Sequence, residues 1–418
     1  MREIQAEVLV VGAGPVGLLT AVLLAEAGLE VKIIDRDERP ATRSYACALH
    51  PSTLALLNRL GLAEPLIQQG RKLRTLAFYE SSLRRAEIKL SVLNPDFPFL
   101  LVVPQNALEQ LLVQRLRQRE GITVNWNHRF ADLESSEDAV LATVERLGGT
   151  GTGYIVPHWE TVVQKRFVIR ARFIIGADGH DSLVRQRLGL EFDSVGTPES
   201  FAAFEFESDD SWDEVRVAMD STTTNVLWPL PGNHLRWTFQ MAHAAQNDEF
   251  PLKERRIARL SDQETDEKIR DYVIRVARER APWFSAAVKE VAWFSRVSFE
   301  HRIVKSFGRK NCWLVGDAAH QTGPIGVQSM NIGFKEADEL SRLLLKVLRE
   351  EAPPECLETY GREQTSEWKR LLGMEGGLKP MPGASDWVKA KCPRFLSCLP
   401  ASNGDLAQLA GQIGLELS

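Results

Sequence analysis

The chain has 418 residues, 44% of them apolar and 26% charged, with a net charge of −5 at pH 7. That length suits two or three domains, and the composition is that of an ordinary soluble globular protein. The acidic balance argues against a nucleic-acid or anionic-membrane partner, and five scattered cysteines point to reduced thiols in a cytoplasmic protein. Cys392 and Cys398 are spaced too widely for a zinc or redox CxxC motif, so no metal is expected. Val8 to Ala25 carries no charged residue. Its three glycines and one proline, and the charged segment that follows, read as a fold element and not as a leader or an integral membrane segment.

Glu7 to Val11 reads as a strand. Gly12-Ala13-Gly14-Pro15-Val16-Gly17 is a GxGxxG sequence that opens an apolar helix, and Gly28 stops it. Val31 to Ile34 is the next strand, ending at Asp35, 18 residues beyond Gly17. This is the arrangement of a dinucleotide site: tight turn, close backbone approach to a pyrophosphate, helix packed on strand, and a carboxylate for a ribose. Arg36 and Arg43 follow in the charged stretch; such arginines mark a 2′-phosphate, hold a pyrophosphate, or are solvated loop charges. Pro51 and Gly61 bracket a structural helix. Leu73 to Leu90 reads as two strands, Asn94 to Pro98 as a turn, and Gln105 to Arg119 as a helix with leucines on one face. Gly148 to Gly153 superficially resembles a second phosphate loop. No helix follows it, so it reads as a hairpin turn.

Arg172 to Ile175 is a strand ending in Gly176-Ala177-Asp178-Gly179, with Ser182 and Arg185 on a short helix behind it. By itself this is a turn with a helix cap. From Phe201 to Phe239 the chain becomes rich in aromatic and β-branched residues, with Pro231-Gly232-Asn233 as a hairpin, and reads as antiparallel strands of a second domain. Gln263 to Arg280 is a polar helix, and Val288 to Phe299 returns to strand.

The organising stretch is Asn311 to Leu340. A buried strand, Cys312 to Val315, leads to Gly316 and Asp317, then His320, a loop holding Gly323, Pro324 and Gly326, and an amphipathic helix from about Gln328 to Glu350. A carboxylate and a helix N-terminus, with its unpaired donors, thus surround one concave spot suited to an electron-rich ligand. Beyond Pro353-Pro354 come a helix around Cys356 to Leu372 and a Gly/Pro-rich tail.

GAGPVG with Asp35, GADGHDSLVR at Gly176 to Arg185, and GDAAHQTGPIGVQSMN at Gly316 to Asn331, in this order, resemble the single-component FAD-dependent aromatic hydroxylases, the family of para-hydroxybenzoate hydroxylase. The resemblance spans roughly Glu7 to Leu372. It implies an α/β fold in which a Rossmann-like FAD-binding domain is interleaved with a β-sheet substrate domain, with C-terminal helices. Residues 1–74, 101–185 and 301–350 are then the FAD-binding domain, 75–100 and 186–300 the substrate domain, and 351–418 the C-terminal helical segment.

The resemblance places Gly12, Gly14, Pro15, Val16 and Gly17 at the FAD pyrophosphate and Asp35 on the ribose. Arg43 and Gln105 fall at the pyrophosphate and ribityl region, and Asp178 beside FAD on the NAD(P)H approach. Asp317, after Gly316, falls on a ribityl hydroxyl. The Pro324 to Asn331 loop, with Gly326, Val327 and Met330, would run along the isoalloxazine ring. Family members lack a separate NAD(P)H domain, so Arg36 is not read as an NADP selector. The implied reaction is NAD(P)H-dependent hydroxylation of an aromatic or polycyclic small molecule by O2 through a flavin hydroperoxide, in a monomer or homodimer. The alternatives are a related reductase, epoxidase or halogenase, and flavin binding without turnover. Phe204, Phe206, Trp228, Pro229, Trp237 and Phe239 are the candidate substrate-pocket residues, and no residue identifies itself as the catalytic base. Val327 and Ser329 stand where the family shows small residues, often glycine; both are expected to take ordinary backbone conformations and narrow the pocket.

Overall fold

The computed structural model describes residues 3–38, 46–119, 122–136, 138–152, 158–241 and 263–418. Two eight-stranded sheets dominate it. In the first, Glu3–Val11 lies parallel between His158–Gly176 and Val31–Ile34, and Cys312–Leu314 continues the parallel order beyond His158–Gly176. The strands are short runs of Val, Ile and Leu with almost no exposure, as a parallel sheet covered on both faces requires. Helix Pro15–Glu26 is apolar all round and buried along most of its length between this sheet and helix Gln328–Arg349.

Register decides where the motifs go. Val11 pairs with Ile34 on one side and Gly176 on the other, and Gly176 pairs with Leu314. Gly12, Asp35, Ala177 and Val315 therefore leave the sheet at one level, along its carboxyl edge, where open α/β sheets form their ligand crevice.

The second sheet runs His320–Gln321, Val291–Val304, Phe192–Glu207, His234–Gln240, Thr224–Leu230, Glu214–Met219, Thr75–Glu80, Leu83–Lys89. Its first strand is the direct continuation of the GDAAH segment, so the two sheets share that piece of chain. One face, with Phe201, Val217, Met219, Val226, Trp228 and Ile303, merges with the core of the first sheet. The other face, with Phe204, Phe206, Leu227, Trp237 and Phe239, packs under helix Gln263–Arg280 through Ile269, Tyr272, Val273 and Val276.

Two local readings change. Gly148 to Gly151 is not the turn of a hairpin but part of its arm, paired with Val162 to Trp159, and the connection at 153–157 lies outside the described residues. The tail resolves into helices Glu355–Leu371, Asp386–Phe395 and Asn403–Gly411 with a small hairpin of Leu378–Pro380 and Leu415–Leu417. Among the described residues no helix is long and apolar enough to cross a membrane, and no His/Cys/Asp/Glu group could hold a metal ion.

Candidate active site

A cavity of about 420 Å³ opens at the carboxyl edge of the first sheet, lined among others by Gly12, Gly14, Asp35, Arg36, Gln105 and Asp178. Six of the residues singled out from sequence thus share one cleft of ligand size. The turn that enters it is set by glycine. Gly12 has φ +104°, and a Cβ there would lie 2.3 Å from the Ala177 carbonyl oxygen. A Cβ on Gly17 would lie 2.0 Å from the Gly12 oxygen, so the third glycine seats helix on turn. Gly14 differs: nothing stands within 4 Å of its Cβ position, and the space over it is free for a ligand. Pro15 fills the first helical turn, where a missing N–H costs nothing.

Asp35 accepts from the Ala13 N–H at 2.5 Å and the Asp37 N–H at 2.8 Å, which ties the second strand to the glycine turn. Burial raises its carboxyl above the usual aspartate range, and the two N–H donors oppose that rise. Gln105 donates to Glu109 at 2.7 Å, and Arg36 is exposed. Arg43 lies outside the described residues. Asp178 spends its carboxylate as a cap, accepting from Ser182 Oγ at 2.5 Å and from the Leu183 and Val184 N–H groups at 2.7 and 3.1 Å. Burial is the largest influence on it and raises its carboxyl as well.

The third motif is joined to the other two by contacts the motifs alone do not reveal. Arg185 is buried, stacks 3.9 Å over the Phe192 ring and donates to the Ala318 carbonyl at 2.9 Å, bridging the GADG segment to GDAAH. Gly316 has φ +62°, and a Cβ on Gly316 or Gly333 would meet Val16 at 3.1 or 2.9 Å. Val16 is therefore gripped between the two, drawing the first helix against the last. His320 and Glu336 form a fully buried pair at 2.9 Å. Glu336 also accepts from the Gly316 N–H at 2.9 Å and from Trp368 Nε1 at 2.7 Å, and the His320 and Trp368 rings stack at 3.7 Å. The sequence carries a signal for this: Glu336 sits in the apolar i, i+4 stripe between Ile332 and Leu340, where an acid needs a partner.

Asp317 is exposed and accepts from Ser329 Oγ at 2.9 Å. Ser329 thus takes an ordinary helical place and hydrogen-bonds the carboxylate. Val327 departs from expectation. It has φ +50° and ψ +40°, the left-handed region that β-branched residues avoid. The surroundings fix it there. Gly326 backs onto the Ser397 and Leu399 carbonyl oxygens, where a Cβ would come within 2.8 and 3.0 Å. His50 Nε2 lies 3.2 Å from the Gly326 carbonyl oxygen, and Gln328 Nε2 donates to the Leu396 and Leu399 carbonyls at 3.0 Å each. Asn331, buried, donates to the Ala48 and Val327 carbonyls and accepts from the His50 N–H and Thr53 Oγ1, all at 2.8 Å. Helix Gln328–Arg349 begins after Val327, which offers no side-chain cap to its first N–H groups. Met330 is half-buried against the core and Pro324 half-buried in the loop.

The aromatic strand residues divide differently from expectation. Phe204, Phe206, Trp237 and Phe239 belong to the core under helix Gln263–Arg280; Trp237 and Phe239 stack at 4.9 Å there. Pro229 is buried and, by the alternation of the strand, shares the side of Leu227. These residues thus lie on the face of the second sheet opposite the one that merges with the first sheet. Trp228 alone of the six faces the first sheet.

An FAD binding domain family model matches residues 5–373. Among curated relatives, 6-methylpretetramide 4-monooxygenase of Streptomyces rimosus is 30% identical over 369 residues, 88% of this chain and 60% of that protein. Pentachlorophenol 4-monooxygenase of Sphingobium chlorophenolicum is 26% identical over 89% of this chain and 64% of that protein. The chain therefore spans less than two thirds of the length of these two relatives. Para-nitrophenol 4-monooxygenase of Pseudomonas sp. (strain WBC-3) is 28% identical, with 92% of this chain and 88% of that protein covered. In fold, the crystal structure of p-nitrophenol 4-monooxygenase from Pseudomonas putida superposes with a TM-score of 0.69 at 20% identity, covering 98% of this chain and 94% of that one.

Proposed function

Since the chain belongs to the FAD binding domain family, we propose that it is an FAD-dependent monooxygenase that uses NAD(P)H and O2 to hydroxylate an aromatic or polycyclic small molecule. The observation that carries this reading is the register of the first sheet: Val11, Ile34, Gly176 and Leu314 end level, so the glycine turn, Asp35, the GADG turn and the GDAAH segment leave the sheet side by side along its carboxyl edge. The names of the relatives support the choice of a phenolic or polycyclic aromatic substrate.

Bound FAD supplies the hydride-accepting and oxygen-transferring chemistry. The residues supply its seat. The open backbone at Gly14 and the start of helix Pro15–Glu26 would hold the pyrophosphate, and Asp35 would accept from the ribose. Arg36 and Gln105, which line the same cavity, would border the phosphates. Asp317, already holding Ser329 with one oxygen, would accept a ribityl hydroxyl with the other. Pro324 to Asn331 would hold the ring, and the start of helix Gln328–Arg349 would favour negative charge at its edge. The substrate lies between this loop and the near face of the second sheet, beside Trp228, Phe201 and Phe299.

The test is direct. The purified chain is yellow, its NAD(P)H oxidation rises when a phenol is added, and isotopically labelled O2 places label in the product. Phenol-stimulated turnover without label would make it a reductase, and a chain that cannot be reconstituted with FAD would overturn the reading altogether.

A further inference from the structure

Where the second sheet meets the flavin loop, strand Val291–Val304 carries His301 on the near face, directly before the pairing of Arg302 with Gln321. The imidazole lies between two oxygens. Its Nε2 is 3.3 Å from Glu199 Oε2, and its Nδ1 is 3.3 Å from Thr322 Oγ1. A carboxylate only accepts, so Nε2 carries the hydrogen, and Nδ1 keeps its lone pair for the Thr322 hydroxyl. Glu199 is itself positioned: Oε1 accepts from Gln240 Nε2 at 2.8 Å, and Gln240 is held by the Thr224 N–H at 2.7 Å. Thr322 belongs to the loop before helix Gln328–Arg349, and the next residue lies against the rest of the row. A Cβ on Gly323 would lie 3.7 Å from both Glu199 Oε2 and His301 Cε1. Phe201 and Phe299, two residues from Glu199 and His301 on their strands, pack edge to face at 5.8 Å and give the spot an apolar wall.

Exposed His–Glu pairs on sheet faces are common and weak. This one is a row of three, hydroxyl to imidazole to carboxylate, with the carboxylate braced and the hydroxyl nearly buried at 8% exposure beside the loop proposed to carry the ring. That order of groups moves a proton from a weak acid. We propose that Thr322, His301 and Glu199 form a proton relay that ionises a phenolic substrate in the active site. The phenol O–H bond breaks and its proton passes to Thr322 Oγ, while the proton of Thr322 passes to His301 Nδ1. The products are a phenolate and an imidazolium, whose charge faces Glu199. Ionisation raises electron density at the ring carbons ortho and para to the oxygen, so the relay commits the site to arenes with a free hydroxyl. The inference rests on the monooxygenase reading.

The charged and titratable surroundings fit. Arg394 and the Cys398 thiol reach Glu199 from the C-terminal segment. Burial pushes Cys398 up to about 12, so it stays a neutral thiol. Arg394 donates to Thr224 Oγ1 and the Asp220 carbonyl, and among the described residues no carboxylate forms an ion pair with it, so its charge favours a nearby phenolate. Glu300 and Arg302, flanking His301, pair with each other.

The experiment uses the FAD-loaded full chain and 4-nitrophenol, whose phenolate is visible. Bound to the wild type, the probe should ionise at least about one pH unit below its value in solution. His301→Gln should abolish that difference and lower kcat/KM about a hundredfold at acidic pH. Raising the pH until the free probe is already ionised should restore most of the loss, which no structural defect would do. Thr322→Val should behave alike and Thr322→Ser should recover; this pair decides the matter if His301→Gln fails to hold FAD. Variants with the wild-type flavin spectrum and an unchanged pH profile overturn the relay and leave the monooxygenase reading intact. A wild type that neither binds nor oxidises 4-nitrophenol overturns the relay; if, in addition, no arene yields labelled product, the monooxygenase reading falls with it.

Discussion

Gly12 and Gly14 stand two residues apart in one turn and answer to different constraints. Gly12 is fixed by the protein, with a positive φ and the Ala177 carbonyl against it. Gly12→Ala should therefore cost more than about 2 kcal/mol of folding stability. Gly14 has φ −70° and open space, so Gly14→Ala should leave the apo chain as stable as before or better by about 0.5 kcal/mol, yet weaken FAD at least about tenfold. Denaturant unfolding of the apo chain together with an FAD titration separates the two; wild-type FAD affinity in Gly14→Ala would move the pyrophosphate elsewhere. Val327 poses the opposite problem, a side chain where glycine geometry is imposed. Val327→Gly and Val327→Ala lose the same packing, so their difference isolates the backbone. The glycine variant should be the more stable by about 1 kcal/mol, and equal stabilities would mean that the loop rearranges once the valine is gone.

The loop from Thr322 to Val327 works as an element because its anchors come from four other parts of the chain, and one of them is sensitive to pH. His50, fully buried with Nε2 against the Gly326 carbonyl, is lowered by burial to about 4 from an ordinary 6.5. The folded state keeps the ring neutral while the unfolded chain takes up a proton below about 6.5. Stability is thus present above that value and is lost as pH falls toward 4. Between pH 7 and pH 5 the loss from this group should be about 2 kcal/mol, read as a fall in unfolding midpoint that His50→Gln flattens; an equal slope in that variant would assign the loss to other groups. Much of this element was legible in advance. The strand, the Gly-Asp turn and the helix start of the GDAAH stretch follow from local pattern, and their meeting with the other two motifs follows from parallel strands ending level. The conformation of Val327 was not legible, because residues 70 positions away impose it through Gly326. The facing of Phe204 and Trp237 was not legible either: strand alternation divides residues between two faces without saying which face meets the flavin domain. Arg185 and Glu336 read as motif filler and helix until their partners are in view.

Across the whole molecule the least readable part of the sequence performs the joining. The segment after residue 373, beyond the family match, bridges the second sheet and helix Gln328–Arg349. Phe395 packs edge to face on Phe78 of the second sheet, and Arg394 holds Thr224 and the Asp220 carbonyl there. A few residues on, the Leu396 and Leu399 carbonyls receive Gln328 of helix Gln328–Arg349. If the segment acts as one strap, its two ends are energetically coupled. Arg394→Met takes the donor from Thr224 Oγ1, although the Asp220 carbonyl keeps Lys391, and Gln328→Leu takes it from the Leu396 carbonyl, although Leu399 keeps the Ala401 N–H; each should cost about 2 kcal/mol. The double variant should cost less than the sum, by about 0.5 to 3 kcal/mol, because an end already released no longer helps hold the other. Additivity within about 0.5 kcal/mol would show instead that the segment makes two independent contacts, and that the flavin loop is held from its own side alone.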